Sequence, residues 1–430
     1  MSTSLDTLRQ SLSFEIGDLI FGSNNSTTTS LGTNATLVDS TLMNKPSDWI
    51  RSGGGGQQPT AIRLTSGTYD TSVRNVASAS PFDNSDGTIT FSPVLAGSVA
   101  SGVTYEIHRL FHPDAKDTAI QQACYDAFPW LYTMVDDQSI MFGNWLKNSR
   151  MEIWTETSYP DYWRASSSTA AEDNTYYHNG TSSCALSTTA GYLYQNSTYN
   201  HDLIYLGDTT PTFRKWVLAS TASQVRLAIY DGTDTTYSDY HTGGGGWELL
   251  DVTATIASNP SAVGFRVYYA KTTTTAYVDE ASVIGVGPKY SYDISDLSLV
   301  NDTPHQIYTV DDRSANNLTP LPQAFCIPVT AWRALGDGRI QFTDSLPTGT
   351  TLRIVGKGHL TQPTSDVSVN VNAPYTGIII AAAAKRLYQS LVSGSGSQDA
   401  ERYQMLADKW EWEFKERCQK YGMKAMPISR

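Results

Sequence analysis

Cysteine is scarce in this 430-residue chain. The four present, Cys124, Cys184, Cys326 and Cys418, lie far apart, and none belongs to a Cys-x-x-Cys or Cys/His cluster. That spacing excludes the usual zinc sites. Cys124 and Cys418 fall on the apolar faces of expected helices and read as buried thiols. Charge is scarce too: 17% of residues are Asp, Glu, Lys or Arg, and the formal net charge is −12. A nucleic-acid surface spread over the whole molecule needs Lys and Arg to meet phosphate, so that class is excluded. The longest apolar run, Gly377-Ile-Ile-Ile-Ala-Ala-Ala-Ala384, is far short of the roughly 20 residues of a membrane span, so no membrane partner is expected. The first residues show no charged segment followed by an apolar core, and the chain is expected to be soluble and made in a cytoplasm.

Catalytic signatures are missing as well. Gly53–Gly56 lacks the Lys-Ser/Thr of a phosphate loop and does not lead into a helix. No Gly-x-Ser-x-Gly stands between a strand and a helix. The acids fall at turns, not as the facing pair a glycosidase needs. The seven histidines are scattered. Asp202 adjoins His201, but adjacency in a strand sends the two to opposite faces. His108 and His112 flank a helix start, where capping or packing is the simpler role. The chain is expected not to be an enzyme.

What is abundant is Ser, Thr, Gly, Asn and Tyr, a composition that suits β-sandwiches with polar loops. Helices are expected at Leu5–Ile16, from Pro113 to Pro129, at Tyr375–Val392 and at Gln398–Tyr421. The second is marked by Pro113 in its first turn. In the last, Tyr403, Ala407, Trp410, Phe414, Cys418 and Tyr421 share one face, and Glu411–Lys415, Glu413–Arg417 and Glu416–Lys420 are acid-before-base pairs at i,i+4. Alternating strands are expected at 61–64, 88–91 and 103–109, then at 184–186, 191–194, 213–218, 225–230, 247–252, 263–269 and 276–280. Regular short strands with turns between them mean a sandwich. Asp231–Gly246 reads as an exposed loop. Asp337–Phe342 with Pro347–Val355 echoes Asp86–Phe91 with Gly102–His108, and each pair precedes a helix, as a weak internal repeat would. The fold class is therefore mainly β with a small α-helical bundle, divided as 1–147, an inserted sandwich 148–287, a second β-subdomain 288–372 and C-terminal helices with an extended tail 373–430.

Residues 148–287 resemble the jelly-roll carbohydrate-binding modules of xylanases and related glycoside hydrolases. The resemblance runs from Asn148-Ser-Arg-Met-Glu152 with Pro160-Asp-Tyr-Trp163, through Gly180-Thr-Ser-Ser-Cys-Ala-Leu186, to Ala276-Tyr-Val-Asp-Glu-Ala-Ser-Val-Ile-Gly285. It implies a structural Ca²⁺ held by Glu152 and Asp279, with Glu172 as a further ligand. Arg150-Met151 stand where that family has Asn-Gly and an aromatic. It also implies sugar stacking on exposed aromatics. Tyr176, Tyr177, Tyr192, Tyr194, Tyr268 and Tyr269 are in the pool; Tyr237, Tyr240, Trp247 and Trp163 are the candidates taken forward, the two tyrosines as the better exposed pair and the two tryptophans as residues whose usual place is the core.

Tyr105-Glu-Ile-His-Arg-Leu-Phe-His-Pro113, Asn372-Ala-Pro374, Tyr403-Gln-Met-Leu-Ala-Asp-Lys-Trp410 and Tyr421-Gly-Met423 resemble tailed-phage head–tail connector adaptors. That resemblance implies an α+β adaptor core carrying the sandwich as a decoration, in the virion neck, after synthesis in the host cytoplasm. It implies a homo-oligomeric ring, a dodecamer by family, docked on a portal protein and joined to a tail or further neck protein. Trp410, Phe414, Tyr421, Met423, Met426 and Ile428 would grip the portal. The alternative is a glycan-binding adhesin, a tail-fibre or baseplate accessory, in which the sandwich is the functional part. An accessory chain of a carbohydrate-active enzyme is a third, remoter reading.

Overall fold

The computed structural model describes residues 2–18, 27–52, 60–187, 189–270, 274–287, 289–310, 326–392 and 397–423. The chain divides into two compact units, Met1–Thr133 with His359–Ile428, and Met134–Gly358. Gly53–Gly56, Met426 and Ile428 lie outside the described residues.

The first unit holds α1 (Leu5–Glu15), β1 (Thr36–Val38), β2 (Ala61–Leu64), β3 (Val73–Val76), β4 (Phe82–Asp83), β5 (Thr88–Ser92), β6 (Tyr105–His108), α2 (Pro113–Asp126), α3 (Thr376–Val392) and α4 (Ser397–Tyr421). Its sheet has the order β1-β5-β3-β2-β6, with β4 on β5. Ser4 caps α1 by accepting from the Thr7 N–H, and His112 caps α2 by accepting from the Asp114 N–H. Capping is thus the role of His112. The alanine-rich α3 is buried at Ile378–Ala384, and Ala407, Trp410 and Cys418 of α4 join the same core. Glu411–Lys415 (2.8 Å) and Glu413–Arg417 (3.6 Å) pair along α4.

Beneath α1 and α2 lies a buried ionic network. Arg9 Nε donates to Glu106 (2.8 Å), and its Nη1 donates to Asp117 (2.8 Å). Arg63 reaches Asp117 at 2.9 Å, and Lys116 reaches Asp18 at 2.7 Å. The Lys116 ammonium donates to His108 Nδ1 (2.9 Å), so the ring's proton sits on Nε2, 2.9 Å from Glu106. Burial pushes the His108 imidazole down to about 4. Burial alone would raise the Glu106 carboxyl, but its hydrogen bonds from His108 and Arg9 overcome that and hold it at about 2.

The second unit holds β7 (Thr133–Asp137), β8 (Arg164–Ser166), β9 (Thr169–Asp173), β10 (Ser183–Ser187), β11 (Gly191–Asn196), β12 (Thr212–Ala219), β13 (Val225–Tyr230), β14 (Thr235–Tyr240), β15 (Trp247–Thr253), β16 (Gly264–Tyr269) and β17 (Ala276–Ile284). It continues with β18 (Ser291–Asp293), β19 (Gln306–Val310), β20 (Cys326–Val329), β21 (Trp332–Ala334), β22 (Arg339–Phe342) and β23 (Thr351–Gly358). Two five-stranded antiparallel sheets, β15-β12-β17-β10-β9 and β14-β13-β16-β11-β8, face each other as a sandwich. Most consecutive strands fall on opposite sheets, which is jelly-roll wiring. Inward residues such as Phe213, Val217, Leu227, Phe265, Val267 and Val278 are fully buried and form its core. Smaller sheets, β18-β22-β21 and β20-β19-β23-β7, complete the unit. The two halves of the sequence echo therefore differ in structure: β5 and β6 share a sheet, whereas β22 and β23 do not. Asp231–Gly246 is not all loop, because β14 pairs with β13 inside it. His201 and Asp202 lie on a 3₁₀ turn (His201–Leu206), where Asp202 is buried against Lys289 (2.7 Å) and Arg339 (2.9 Å).

Candidate glycan-binding face

Strand alternation builds the site. In β11, Leu193 and Gln195 point into the sandwich, so Tyr192, Tyr194 and Asn196 point out. In β16, Phe265, Val267 and Tyr269 go in and Arg266 and Tyr268 come out. In β13, Val225, Leu227 and Ile229 are buried and Arg226 and Tyr230 are half-exposed. Register then lines these residues up across the sheet. One row reads Ser166, Tyr192, Tyr268, Arg226 and Tyr240; the next reads Arg164, Tyr194, Arg266, Ala228 and Tyr237.

The rings touch as a continuous aromatic surface. Tyr192 lies 5.3 Å from Tyr194 and 5.1 Å from Tyr268, and Tyr268 lies 5.2 Å from Tyr237. Guanidinium groups sit among them. Arg226 is 3.7 Å from the Tyr237 ring centre and 4.8 Å from that of Tyr240. Arg266 is 4.0 Å from Tyr230 and 5.1 Å from Tyr192, and it donates to the Tyr268 hydroxyl at 3.2 Å. A hydrogen bond with Tyr268 raises the Tyr237 phenol above its ordinary range. Tyr237 is 40% exposed, which leaves this edge of the face open to solvent.

At the β8 end, Arg164 lies 4.5 Å from Tyr159 and 4.7 Å from Tyr199. Here a cleft of about 520 Å³ opens, lined by Tyr159, Tyr162, Arg164, Tyr199 and His201 together with Glu156, Asp161, Asp293 and Asp296. Three of its four acids are already committed. Asp161 accepts from Thr155 N and Oγ1, Asp293 accepts from Ser295 N and Oγ, and Asp296 pairs with Lys147.

Of the candidates taken from sequence, Tyr237 and Tyr240 belong to this face. Trp247 does not: it opens β15 on the other sheet, edge-on to His178 at 5.6 Å, with Trp216 stacked on the same imidazole at 4.0 Å. Trp163 is fully buried and cannot stack on a sugar; its ring carries the Lys215 ammonium at 4.5 Å instead. Tyr269 is core as well. Arg226 and Arg266 escaped the sequence reading because an outward arginine in an alternating strand is ordinary.

The three acids expected at calcium converge on one loop, residues 178–182, but each is occupied by protein donors. Glu152 Oε1 accepts from Thr181 N (2.9 Å) and Ser182 N (3.3 Å), and its Oε2 accepts from Thr181 Oγ1 (2.6 Å). Asp279 Oδ2 accepts from His178 N (2.9 Å) and Asn179 N (3.1 Å), and its Oδ1 accepts from Glu280 N (2.6 Å). Glu172 accepts from Ser182 Oγ at 2.9 Å. Gly180 makes the approach possible, since a Cβ there would stand 2.0 Å from Glu152 Oε1. Calcium needs six to eight free oxygens, and N–H groups aimed at these carboxylates do not fit one. Among the described residues no three His, Cys, Asp or Glu side chains gather as a metal-holding group.

Of the residues expected to grip a portal, Trp410, Phe414, Tyr421 and Met423 are described and belong to the first unit. Trp410 is buried, and Phe414, Tyr421 and Met423 pack against the core of that unit's helices.

No protein-family model matches the chain, and no curated protein matches it. Solved structures similar to part of it include a xylan-binding domain from carbohydrate-binding module family 22, with 17% identity and a TM-score of 0.25, covering 32% of this chain and 92% of that one. A second is the CBM22-1 xylan-binding domain of Paenibacillus barcinonensis Xyn10C, with 12% identity and a TM-score of 0.27, covering 36% and 98%. A third is the enzymatically active domain of bacteriophage CBA120 tailspike protein 4, with 10% identity and a TM-score of 0.26, covering 34% and 22%. At these scores the sandwich is established by its own strand order and not by the likeness.

Proposed function

We propose that this chain is a glycan-binding protein of adhesin type, in which the sandwich lays a polysaccharide across the outer face of β14-β13-β16-β11-β8 and the first unit attaches it to a larger particle. The carrying observation is the tyrosine surface of Tyr192, Tyr194, Tyr268 and Tyr237 in ring contact across three strands. The C–H faces of sugar rings stack on such surfaces, and the interleaved phenols and guanidinium groups bond the hydroxyls. The proposed role is binding and not hydrolysis, and the five strands of this sheet carry a single acid, Asp239. Phage particles are the setting the sequence resemblance suggests.

Affinity electrophoresis through gels containing a panel of plant and bacterial polysaccharides tests this. The parent should be retarded by at least one polymer, and Tyr268→Ala and Tyr192→Ala should run free. A parent retarded by none of them, or tyrosine variants that behave as the parent does, would refute it.

A second reading keeps the first unit as a ring-forming adaptor. It is favoured by apolar side chains left outside on two helices: Phe14 (85% exposed) on α1, and Met405 (73%) and Trp412 (61%) on α4. Native mass spectrometry of the full chain decides it, since a monomer at micromolar concentration excludes a preformed ring.

A further inference from the structure

Resting on the reading of this face as a polysaccharide site, we infer that it selects acidic glycans, and that Arg226 and Arg266 are the residues that recognise their anionic groups. The chain as a whole is acidic, with net charge −12. The sheet is not. Its five strands contain three arginines, Arg164, Arg226 and Arg266, against one acid, Asp239. The opposite sheet carries Glu172, Asp173, Glu248, Asp251, Asp279 and Glu280 against Arg214 and Lys215. Among the strands of the sandwich, this sheet alone has more basic than acidic residues.

The two central guanidinium groups are also uncompensated. No carboxylate among the described residues lies within ion-pair distance of either; their neighbours are tyrosine rings and one phenol. Arg226 Nε is buried with no hydrogen-bond acceptor. A guanidinium held against a ring keeps its in-plane N–H groups for a planar or tetrahedral anion at its edge, and a carboxylate or phosphate matches that fork. Arg226 is opposite Tyr268 and Arg266 is opposite Ala228, so the two are diagonal neighbours on adjacent strands, ~7–8 Å apart in antiparallel geometry. Successive acidic residues of one extended chain can meet both. Arg164 plays no such part, because the cleft beside it is lined by Glu156, Asp161, Asp293 and Asp296 and the sign of the field reverses there.

The experiment is isothermal titration of the full chain with polygalacturonate, with the same polymer after carboxyl reduction, and with a poly(glycerol phosphate). The charged polymers should bind at least about tenfold more tightly than the reduced one. Arg226→Gln or Arg266→Gln should each lower the ratio of charged-polymer to reduced-polymer affinity by roughly tenfold. The preference should shrink in about 1 M NaCl, where screening reaches roughly 3 Å. The polyuronate and the polyphosphate arms tell which anion is read. Arg214→Gln, on the other sheet, is the control for bulk charge, and a loss there equal to that at Arg226 overturns the proposal. Equal binding of charged and reduced polymer, with Tyr268→Ala weakening both, overturns the acidic preference and leaves the glycan-binding face standing. No binding to these three by a protein that the gel panel retards overturns the acidic preference alone, and no binding in either assay overturns both.

Discussion

Replacing Lys215 by methionine should make the sandwich more stable. Lys215 points inward from β12, is fully buried, and its ammonium has no hydrogen-bond acceptor; its near neighbour is the Trp163 ring at 4.5 Å. Burial pulls the ammonium down from 10.5 to about 7 against the attraction of Asp279. At 1.36 kcal/mol per pH unit, such a displacement costs the folded state roughly 5 kcal/mol at neutral pH. Some of this is already offset by the ring, at ~2 kcal/mol for a desolvated cation–π contact. Methionine keeps most of the stem's volume, and Asp279 keeps its three backbone N–H donors. The net gain should then be at most ~3 kcal/mol, the burial cost less the ring contact.

The pH dependence separates this account from simple repacking. The folded pKa lies below the unfolded one, so between about 7 and 10.5 the unfolded chain binds the extra proton and stability rises with pH. Below 7 both states are protonated and the penalty is constant. Calorimetric unfolding of the full chain from pH 7 to 10 should show that rise in the parent and not in Lys215→Met. A variant less stable than the parent at pH 7, with the pH slope intact, would refute the reasoning.

Three further outcomes are expected. Asp279→Asn should destabilise the sandwich by ~1–3 kcal/mol in denaturant titrations, because an amide cannot accept all three N–H groups that converge on the carboxylate. Glu152 and Asp279 act here as staples of the 178–182 loop, so millimolar calcium or EGTA should leave the melting temperature of the second unit unchanged, and a clear rise with calcium would contradict that assignment. Arg9→Ala should cost the first unit ~3–5 kcal/mol by leaving Glu106 buried without its cation. The same network sets an acid limit. Glu106 and His108 both titrate lower in the folded chain, so below about 6.5 the unfolded state takes up protons first, and circular dichroism should show the first unit losing stability steadily toward pH 2.

How far these features could be read beforehand depended on whether they are local. The four helices and most sandwich strands follow from spacing within a dozen residues, and the structure places them within a few residues of the expected bounds. Strand β14 was missed because Thr235-Thr-Tyr-Ser-Asp-Tyr240 is an edge strand with a register shift, exposed or half-exposed along its length, so no apolar alternation marks it. The candidate face was half legible. Tyr237 and Tyr240 stood out as aromatics in polar surroundings, but nothing in the one-dimensional pattern brings Arg266 beside Tyr192 and Tyr230. Cross-strand register does that over separations of tens of residues. Trp163 is core, the usual place for a strand tryptophan, although its identity alone does not tell which face of a sandwich it takes. The ionic network was hidden in the same way, since Arg9 and Ser13 of α1 lie on the face read as apolar from Leu5, Leu8 and Leu12.

The division of the chain carries a consequence for how it reaches its folded state. The first unit is assembled from two separated segments, and within it His359 rests against Tyr125 and Phe128 at 5.0 and 5.5 Å. Inside the second unit, its first strand β7 lies beside its last, β23. While residues 134–358 are unfolded, joining the two segments means closing a very long loop of coil. Once those residues fold, their ends emerge side by side and the closure entropy has already been lost elsewhere. The inserted unit is thus a clasp: its folding raises the local concentration of α3 and α4 around α2, and a mutation that melts it lowers the apparent stability of the first unit's helices. Because each doubling of a loop costs only ~0.6 kcal/mol, the same site could accept a different folded cargo with adjacent ends at almost no cost to the scaffold.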